Sequence, residues 1–251
     1  KGTLHKGEND PTRERASRQP HKGNYEKDFS HWVSGQKWKT LRDSQVSVKQ
    51  YKDKSIIFIA STGAGKTEYA MNWINGRKAF YLLGLRTAVN AMYERFKDIF
   101  TKDNVALLHG NTHMHLLEDQ KEKEKPVDFF TKLNEIYQLS YPLTIATADQ
   151  IITSVFKYNS FERLYLTASY SKIIMDEIQS FTPQGIACIV TFLKEIHNLE
   201  GRFLLMTATL PQFIRNEFLQ LNDIELPKPY FSPLKRHKIQ TVNDFINSEY
   251  S

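Results

Sequence analysis

The sequence predicts an α/β fold in which helices cover both faces of a mainly parallel sheet. Short apolar runs recur along the chain and are continuous rather than alternating, as in strands buried on both faces. These runs occupy residues 56–59, 80–83, 105–108, 143–146, 173–175 and 203–206. Between several of them, apolar residues repeat with helical spacing over 67–75, 88–100 and 184–199. Strands alternating with helices are typical of α/β domains with right-handed crossovers.

Length and composition are those of a globular protein with one large domain or two small ones. The chain has 251 residues, of which 40% are hydrophobic and 25% charged, values that exclude wholesale disorder. No apolar run approaches the roughly 18–20 residues that span a bilayer, and the polar N-terminus does not resemble a signal peptide, so we expect a cytoplasmic protein without a membrane partner. A single cysteine, Cys188, excludes a disulfide framework within this chain. The net charge of +6 is compatible with a nucleic-acid partner but also with simple solubility.

Two terminal regions differ from the predicted domain. Residues 1–40 form a polar extension that we expect to be partly flexible, although 26–50 contains aromatic residues suited to packing onto the domain. The segment 227–251 contains three prolines and a short basic cluster, which suggests an exit segment. The alternating charges of 118–125 are typical of a solvated helix face or loop.

A glycine-rich loop follows the first predicted strand. In Ala60–Thr67 the glycines let successive backbone N–H groups face one phosphate, and the following helix adds the positive end of its dipole. Lys66 is expected to reach the β- and γ-phosphates, and the Thr67 hydroxyl to ligate Mg²⁺. The alternative is a glycine-rich turn that binds no nucleotide. We therefore predict an ATP and Mg²⁺ site formed by Thr62, Gly63, Ala64, Gly65, Lys66, Thr67 and Glu68.

Two further polar motifs stand where apolar runs end. Asp176 and Glu177 follow 173–175, so one carboxylate can ligate magnesium while the other accepts a proton from the attacking water. Alone, the pair could be an acidic cap on a following helix. Thr207 and Thr209 follow 203–206, where two hydroxyls can sense the γ-phosphate.

These motifs should meet at one edge of the sheet. Ligands of open parallel sheets bind at the carboxyl ends of the strands. The residues expected to converge there are Lys66, Arg86, Thr147, Asp176 and Thr207.

The motifs together resemble the first RecA-like domain of a superfamily 2 helicase. Ala60–Thr67 matches motif I of that family, Asp176–Gln179 matches motif II and Thr207–Thr209 matches motif III. Leu85–Ala88 lies at motif Ia, although Gly84 replaces the usual proline, and Thr147–Gln150 lies at motif Ib. Gln45 is placed to read adenine, with an ordinary surface glutamine as the alternative. The resemblance implies a three-layer RecA-like fold over 41–240 and an exit linker over 241–251 toward a second lobe.

Longer strings are similar to the helicase of type I CRISPR interference systems. Among them are Ala91–Phe96, Ala146–Ile151 and Asp176–Phe181. This resemblance implies an ATP-driven motor on single-stranded DNA that works with a guide-RNA surveillance complex and an HD-type nuclease domain or chain. It also implies that Arg86, Thr87, Thr147 and Asp149 contact nucleic acid, and that Gln179, Thr207 and Thr209 couple nucleotide state to motion. Lys66, Asp176, Glu177 and Gln179 would be the catalytic residues.

Several alternatives stay open. A superfamily 2 RNA helicase outside CRISPR systems would carry the same motifs, as would a nucleotide-dependent binding module without turnover. His109, His113 and His115 could bind a metal ion, although a variable connection is the simpler explanation, and Cys188 is expected to pack in the core. Because neither Arg86 nor Arg202 is placed to reach the γ-phosphate, the resemblance implies that the second lobe supplies the arginine for ATP hydrolysis.

Overall fold

The sheet is seven-stranded and entirely parallel. The computed structural model describes residues 24–36, 40–100, 104–119 and 126–231. The strands in these ranges are β1 (Ser55–Ile59), β2 (Ala79–Leu83), β3 (Val105–Leu108), β4 (Leu143–Thr147), β5 (Lys172–Asp176), β6 (Arg202–Thr207) and β7 (Ile224–Glu225). Their order across the sheet is β3-β4-β2-β5-β6-β1-β7. The six predicted strands are thereby confirmed.

Ten α-helices are described. They are α1 (Asn24–Gly35), α2 (Asp43–Ser47), α3 (Lys66–Ile74), α4 (Arg86–Ile99), α5 (Thr112–Asp119), α6 (Pro126–Tyr137), α7 (Asp149–Ile152), α8 (Phe161–Ser169), α9 (Pro183–Asn198) and α10 (Gln212–Leu219). None of the helices in the described ranges is long and apolar enough to cross a membrane.

Side chains that alternate along each strand build two cores, one on each face of the sheet. Ile56 and Phe58 of β1 join the first core with α1, α3 and α4, whereas Ile57 joins the second with α6 to α10. Because helices cover both faces, both sets of strand residues are apolar, which explains the continuous runs in the sequence. Cys188 is partly buried against the second core, as expected.

The segment before the first strand belongs to the first core. Phe29 and Val33 of α1 are only 5% and 8% exposed. The domain limits 41–240 and 241–251 stay predictions, and residues 1–23 and 232–251 lie outside the described part of the chain.

Residues just before and at the start of the predicted exit segment pair with the sheet. Two residues of β7 pair with β1, and Tyr230 forms a parallel bridge with Ala60. The Tyr230 amide donates to the Ile59 carbonyl at 2.9 Å, and the Ser61 amide donates to the Tyr230 carbonyl at 3.1 Å. These short pairings cover β1, which would otherwise expose unpaired backbone groups, and a two-residue strand leaves no periodic signal in the sequence.

Candidate functional site

The strand order divides the carboxyl edge of the sheet into two halves. The P-loop half comprises the ends of β1, β6 and β5, which carry Ala60–Thr67, Thr207–Thr209 and Asp176–Gln179. The distal half comprises the ends of β2, β4 and β3, which carry Arg86, Thr87, Thr147, Asp149 and His109. The predicted convergence on one edge therefore holds, with the motifs sorted into two neighbouring groups.

Contacts from α2 and its N-terminal neighbour support the glycine-rich loop. Gly63 and Gly65 have φ angles of 77° and 84°, in the left-handed region that favours glycine. The Arg42 guanidinium donates to the carbonyl oxygens of Gly63 at 3.3 Å and Ala64 at 2.7 Å. A Cβ added at Gly65 would lie 2.1 Å from Gln45 Nε2. Glycine at this position is therefore required by both backbone conformation and packing.

Gln45 is a buried support of that loop, with 5% of its surface exposed. Its Nε2 donates to the Gly65 carbonyl at 3.0 Å, and its Oε1 accepts from the Arg42 amide at 2.8 Å. Its own carbonyl accepts from Asn72 Nδ2 at 2.8 Å. The ordinary surface glutamine considered above is therefore wrong for this residue, and contact with adenine stays a prediction.

A chain of polar contacts joins the three strand ends of the P-loop half. Lys66, 8% exposed, forms an ion pair with Glu177 Oε1, and the other carboxylate oxygen accepts a hydrogen bond from Gln179. Gln179 Oε1 in turn accepts from the Thr207 hydroxyl at 2.5 Å. The side chains predicted as phosphate ligand, base and coupling residues are thus in direct contact.

Backbone strain accompanies the turn at the acidic pair. Glu177 has φ 58°, a left-handed conformation that costs a non-glycine residue on the order of 1–3 kcal/mol. The Glu177 amide donates to the Met206 carbonyl at 2.9 Å, so the strained residue stays joined to β6. Consecutive residues of a straight strand face opposite sides, and this turn explains how Asp176 and Glu177 both line the site.

Asp176 is buried beneath the loop, with 6% of its surface exposed. Tyr81 in β2 donates its hydroxyl proton to Asp176 Oδ2 at 2.7 Å, while Oδ1 is buried without a hydrogen-bond partner among the described residues. Burial raises the pKa of Asp176 to about 6, opposed by the Tyr81 hydrogen bond and the charge of Lys66. Mg²⁺ prefers oxygen ligands, so an unpartnered carboxylate oxygen suits the predicted metal site. Tyr81 is a residue that sequence analysis missed, since it looks like any apolar strand residue.

A cleft of about 660 Å³ opens beside these groups. That volume lies within the range of roughly 300–1,000 Å³ typical of small-molecule sites. Its walls include Arg42, Gln45, Lys66, Glu68, Arg95 and Asp176. Sequence analysis weighed only Arg86 and Arg202, whereas the structure adds Arg42 and Arg95. Arg202 begins β6 at the opposite edge and donates to the Asp53 carbonyl at 2.6 Å.

The remaining loop and coupling residues differ in their exposure to solvent. Thr62, Gly63 and Thr209 are exposed, and Ala64 is buried. The Thr209 amide donates to the Thr207 hydroxyl oxygen at 3.2 Å, which closes the turn after β6. Thr62, Gly63 and Thr209 are therefore open to solvent, whereas Lys66 and Asp176 are buried.

The distal half is much more open. Arg86, Thr87 and Asp149 are exposed, and only Thr147 is buried. Gly84 lies where β2 meets the turn after β5, and a Cβ there would be 2.9 Å from Ser180 Oγ. In this chain, a side chain at position 84 would therefore require Ser180 to move.

The three histidines have separate surroundings. His109 is 3% exposed, its Nδ1 accepts from the Asn111 amide at 3.0 Å, and its Nε2 lies 3.0 Å from Asn90 Oδ1. Burial lowers the pKa of His109. His113 is exposed, and the His115 ring packs edge-on against Tyr93. In the described ranges, no three His, Cys, Asp or Glu side chains are grouped to hold a metal ion.

Comparison with known proteins identifies the family. The model of the DEAD/DEAH box helicase family matches residues 42–216. The CRISPR-associated nuclease/helicase Cas3 of Methanothermobacter thermautotrophicus is 28% identical over 205 residues, 76% of this chain and 24% of that protein. The putative CRISPR-associated nuclease/helicase Cas3 of Methanocaldococcus jannaschii is 32% identical over 178 residues, 66% of this chain and 24% of that protein.

A solved structure shows the same fold. The crystal structure of T. fusca Cas3-ADP superposes with a TM-score of 0.62 at 18% identity, covering 83% of this chain and 25% of that one. The predicted RecA-like fold is thereby confirmed, and the resemblance to CRISPR-associated helicases agrees with these relatives. This chain spans about a quarter of the length of the curated relatives it matches. Because the family match includes the glycine-rich loop, the acidic pair and the threonine triplet, this chain belongs to the DEAD/DEAH box helicase family.

Proposed function

We propose that this chain is the ATP-binding lobe of a translocase that moves along single-stranded DNA in type I CRISPR interference, in the cytoplasm. The observation that carries the proposal is the contact chain Lys66–Glu177–Gln179–Thr207 beside the unpartnered oxygen of Asp176. It places an ammonium group, a carboxylate and an unpartnered carboxylate oxygen next to one another beside one cleft, and we assign to them phosphate binding, the base and metal binding. That combination suits phosphoryl transfer.

The ion pair between Lys66 and Glu177 suggests how the site responds to nucleotide. Phosphate oxygens compete with the carboxylate for the Lys66 ammonium, because both are anionic hydrogen-bond acceptors. Release from Lys66 leaves Glu177 free to accept the proton of an attacking water, with Gln179 still bound to its second oxygen. Mg²⁺, held by Thr67 and Asp176, would supply neutralising charge to the phosphates.

The distal half supports the nucleic-acid part of the proposal. Arg86, Thr87 and Asp149 are exposed at the same edge as the cleft, with Thr147 beneath them. Polar groups of this kind contact sugar and phosphate without selecting a base sequence. The relatives named as CRISPR-associated nuclease/helicases support a CRISPR system with a nuclease as the setting of this lobe. Single-stranded DNA as substrate, and a second RecA-like lobe, an HD-type nuclease and a guide-RNA surveillance complex as partners, are proposed from the resemblance of the motifs.

Calorimetric titration with ADP and Mg²⁺ tests the nucleotide site. Lys66→Ala removes the cation for the phosphates, so binding should be lost. Lys194→Ala is the matched control and should leave the affinity unchanged. Lys194 lies on α9 and pairs with Glu217 of α10 at 2.9 Å, and both helices belong to the second core. An unchanged affinity in Lys66→Ala would overturn the site assignment.

Substrate class is tested by anisotropy with labelled single strands of matched sequence in DNA and RNA. We expect tighter binding of DNA. Preference for RNA would favour the alternative of an RNA helicase outside CRISPR systems. Nucleotide-dependent binding without turnover, even with a second lobe present, would favour a binding module.

A further inference from the structure

Arg95 reaches the cleft from a helix that begins in the distal half. Arg95 lies on α4, which starts at Arg86. Its Nη1 donates a hydrogen bond to Thr67 Oγ1 at 3.3 Å. Its Nη2 forms an ion pair with Glu68, whose side chain is 10% exposed. The phosphoryl-transfer chemistry proposed above gives Arg95 no task, although it touches the hydroxyl assigned to Mg²⁺.

The guanidinium of Arg95 also contacts an aromatic ring of α1. The Arg95 Cζ lies 5.8 Å from the centroid of the Trp32 ring, within the range of a cation–π contact. Trp32 stacks with Phe29 at 6.1 Å between centroids, and Phe29 and Val33 are part of the first core. Arg95 is therefore in contact with α1, a segment outside the range that matches the helicase family.

The contacts of the Thr67 hydroxyl leave one position for a cation. A hydroxyl has one proton and two acceptor lone pairs. Arg95 occupies one lone pair of Thr67. The second lone pair is then the one available to Mg²⁺.

The charge of Glu68 makes this arrangement compatible with a nearby cation. An unpaired guanidinium beside a divalent ion would be repelled. Paired with the buried Glu68 carboxylate, Arg95 contributes a hydrogen-bond donor with little net charge. The hydroxyl is thus oriented without adding a positive charge to the metal site.

We propose that Arg95 is a positioning residue that orients the Thr67 hydroxyl toward Mg²⁺, and that Trp32 of α1 holds it there. The inference rests on the proposed function, since it assumes that Mg-nucleotide fills the cleft. It makes α1 a part of the nucleotide site, so a displacement of α1 would change how tightly the site takes up metal.

The test separates metal uptake from nucleotide binding. ADP affinity is measured by calorimetry across a series of MgCl₂ concentrations and in EDTA, after thermal melts show that each variant is folded. Arg95→Ala should move the Mg²⁺ midpoint about 10–100-fold higher, the usual effect of losing a partner behind a metal ligand, while affinity in EDTA stays unchanged. Trp32→Ala should shift the midpoint in the same direction by less, and Arg95→Lys should recover part of the loss.

Arg163→Ala is the matched control, because Arg163 donates to Gln138 on the other face of the sheet and should leave the midpoint unchanged. An unchanged midpoint in Arg95→Ala, or an equal loss with Mg²⁺ and with EDTA, overturns the inference. Loss of binding in Lys66→Ala together with either result would show that the nucleotide site is correct and only the role of Arg95 is wrong.

Discussion

The two halves of the carboxyl edge differ in how far their side chains are already engaged. In the P-loop half, Lys66, Asp176 and Glu177 are tied by ion pairs and hydrogen bonds. In the distal half, Arg86 and Thr87 are exposed to solvent. Phosphoryl transfer requires charged groups in fixed positions, whereas contacts to the sugar-phosphate backbone of a flexible single strand can be made by mobile side chains. This explains why the two halves differ. We therefore expect substitutions in the P-loop half to change nucleotide binding and those in the distal half to change nucleic-acid binding.

The largest expected effect is on the rate of ATP hydrolysis, and it comes from an arginine that we expect a second lobe, and neither half of this edge, to supply. An arginine finger commonly contributes about 10³–10⁵ to the rate of phosphoryl transfer. Arg42 and Arg95 line the cleft but are bound to loop carbonyls and to Glu68. We expect the 251-residue chain to bind nucleotide and hydrolyse it slowly, and a second RecA-like lobe with single-stranded DNA to restore turnover.

Steady-state phosphate release, with and without single-stranded DNA, measures this effect. Fast, DNA-stimulated hydrolysis by the chain alone, equal to that of a two-lobed protein, would show that the P-loop half is catalytically complete.

Glu177→Gln should produce the next largest change, confined to the P-loop half. The substitution keeps the shape of the side chain and removes the base, so turnover with the second lobe supplied should fall by about 10²–10⁴-fold. Binding of ADP and of single-stranded DNA should persist. Turnover near that of the unchanged protein would remove Glu177 as the base.

Tyr81→Phe tests the missed residue of the site. The Tyr81 hydroxyl donates to the buried Asp176 carboxylate at 2.7 Å, and hydrogen bonds to charged groups contribute about 1.5–3 kcal/mol. Mg-ADP affinity should fall by about tenfold to a hundredfold, because the ionised form of Asp176 loses its only hydroxyl donor among the described hydrogen bonds. Single-strand binding, measured by anisotropy on the same sample, should not change. A matching loss in both assays would mean that the two halves are coupled through β2.

Arg86→Ala should give the smallest effect and the opposite pattern. Loss of one phosphate contact should weaken single-strand binding alike on all sequences and reduce the salt slope by about 1. Nucleotide binding should be unaffected. Arg77→Ala is the control, because Arg77 pairs with Asp53 at 3.0 Å and precedes β2 at the opposite edge of the sheet. Strong dependence on base sequence without dependence on salt would contradict a backbone-contacting role for Arg86.

The sequence alone determined six of the seven strands and the location of the motifs. The run 56–59 lies within Ser55–Ile59, and 203–206 lies within Arg202–Thr207. Continuous apolar runs can be recognised locally because both faces of each strand are buried. Since parallel strands end at a common edge, motifs at strand ends were correctly expected to meet there.

Only the tertiary structure decided which other side chains complete the site. Tyr81 and Asp176 are 95 residues apart in the chain, and Arg95 and Thr67 are 28 apart. Their contacts depend on β2 lying beside β5 and on α4 packing across the first face. Local periodicity reports burial and not the order of strands, so it cannot distinguish a Tyr81 that packs in the core from one that also binds a carboxylate. For the same reason the sequence did not indicate that Arg42 and Arg95 line the cleft, because their partners are distant in the chain and become neighbours only in the folded structure.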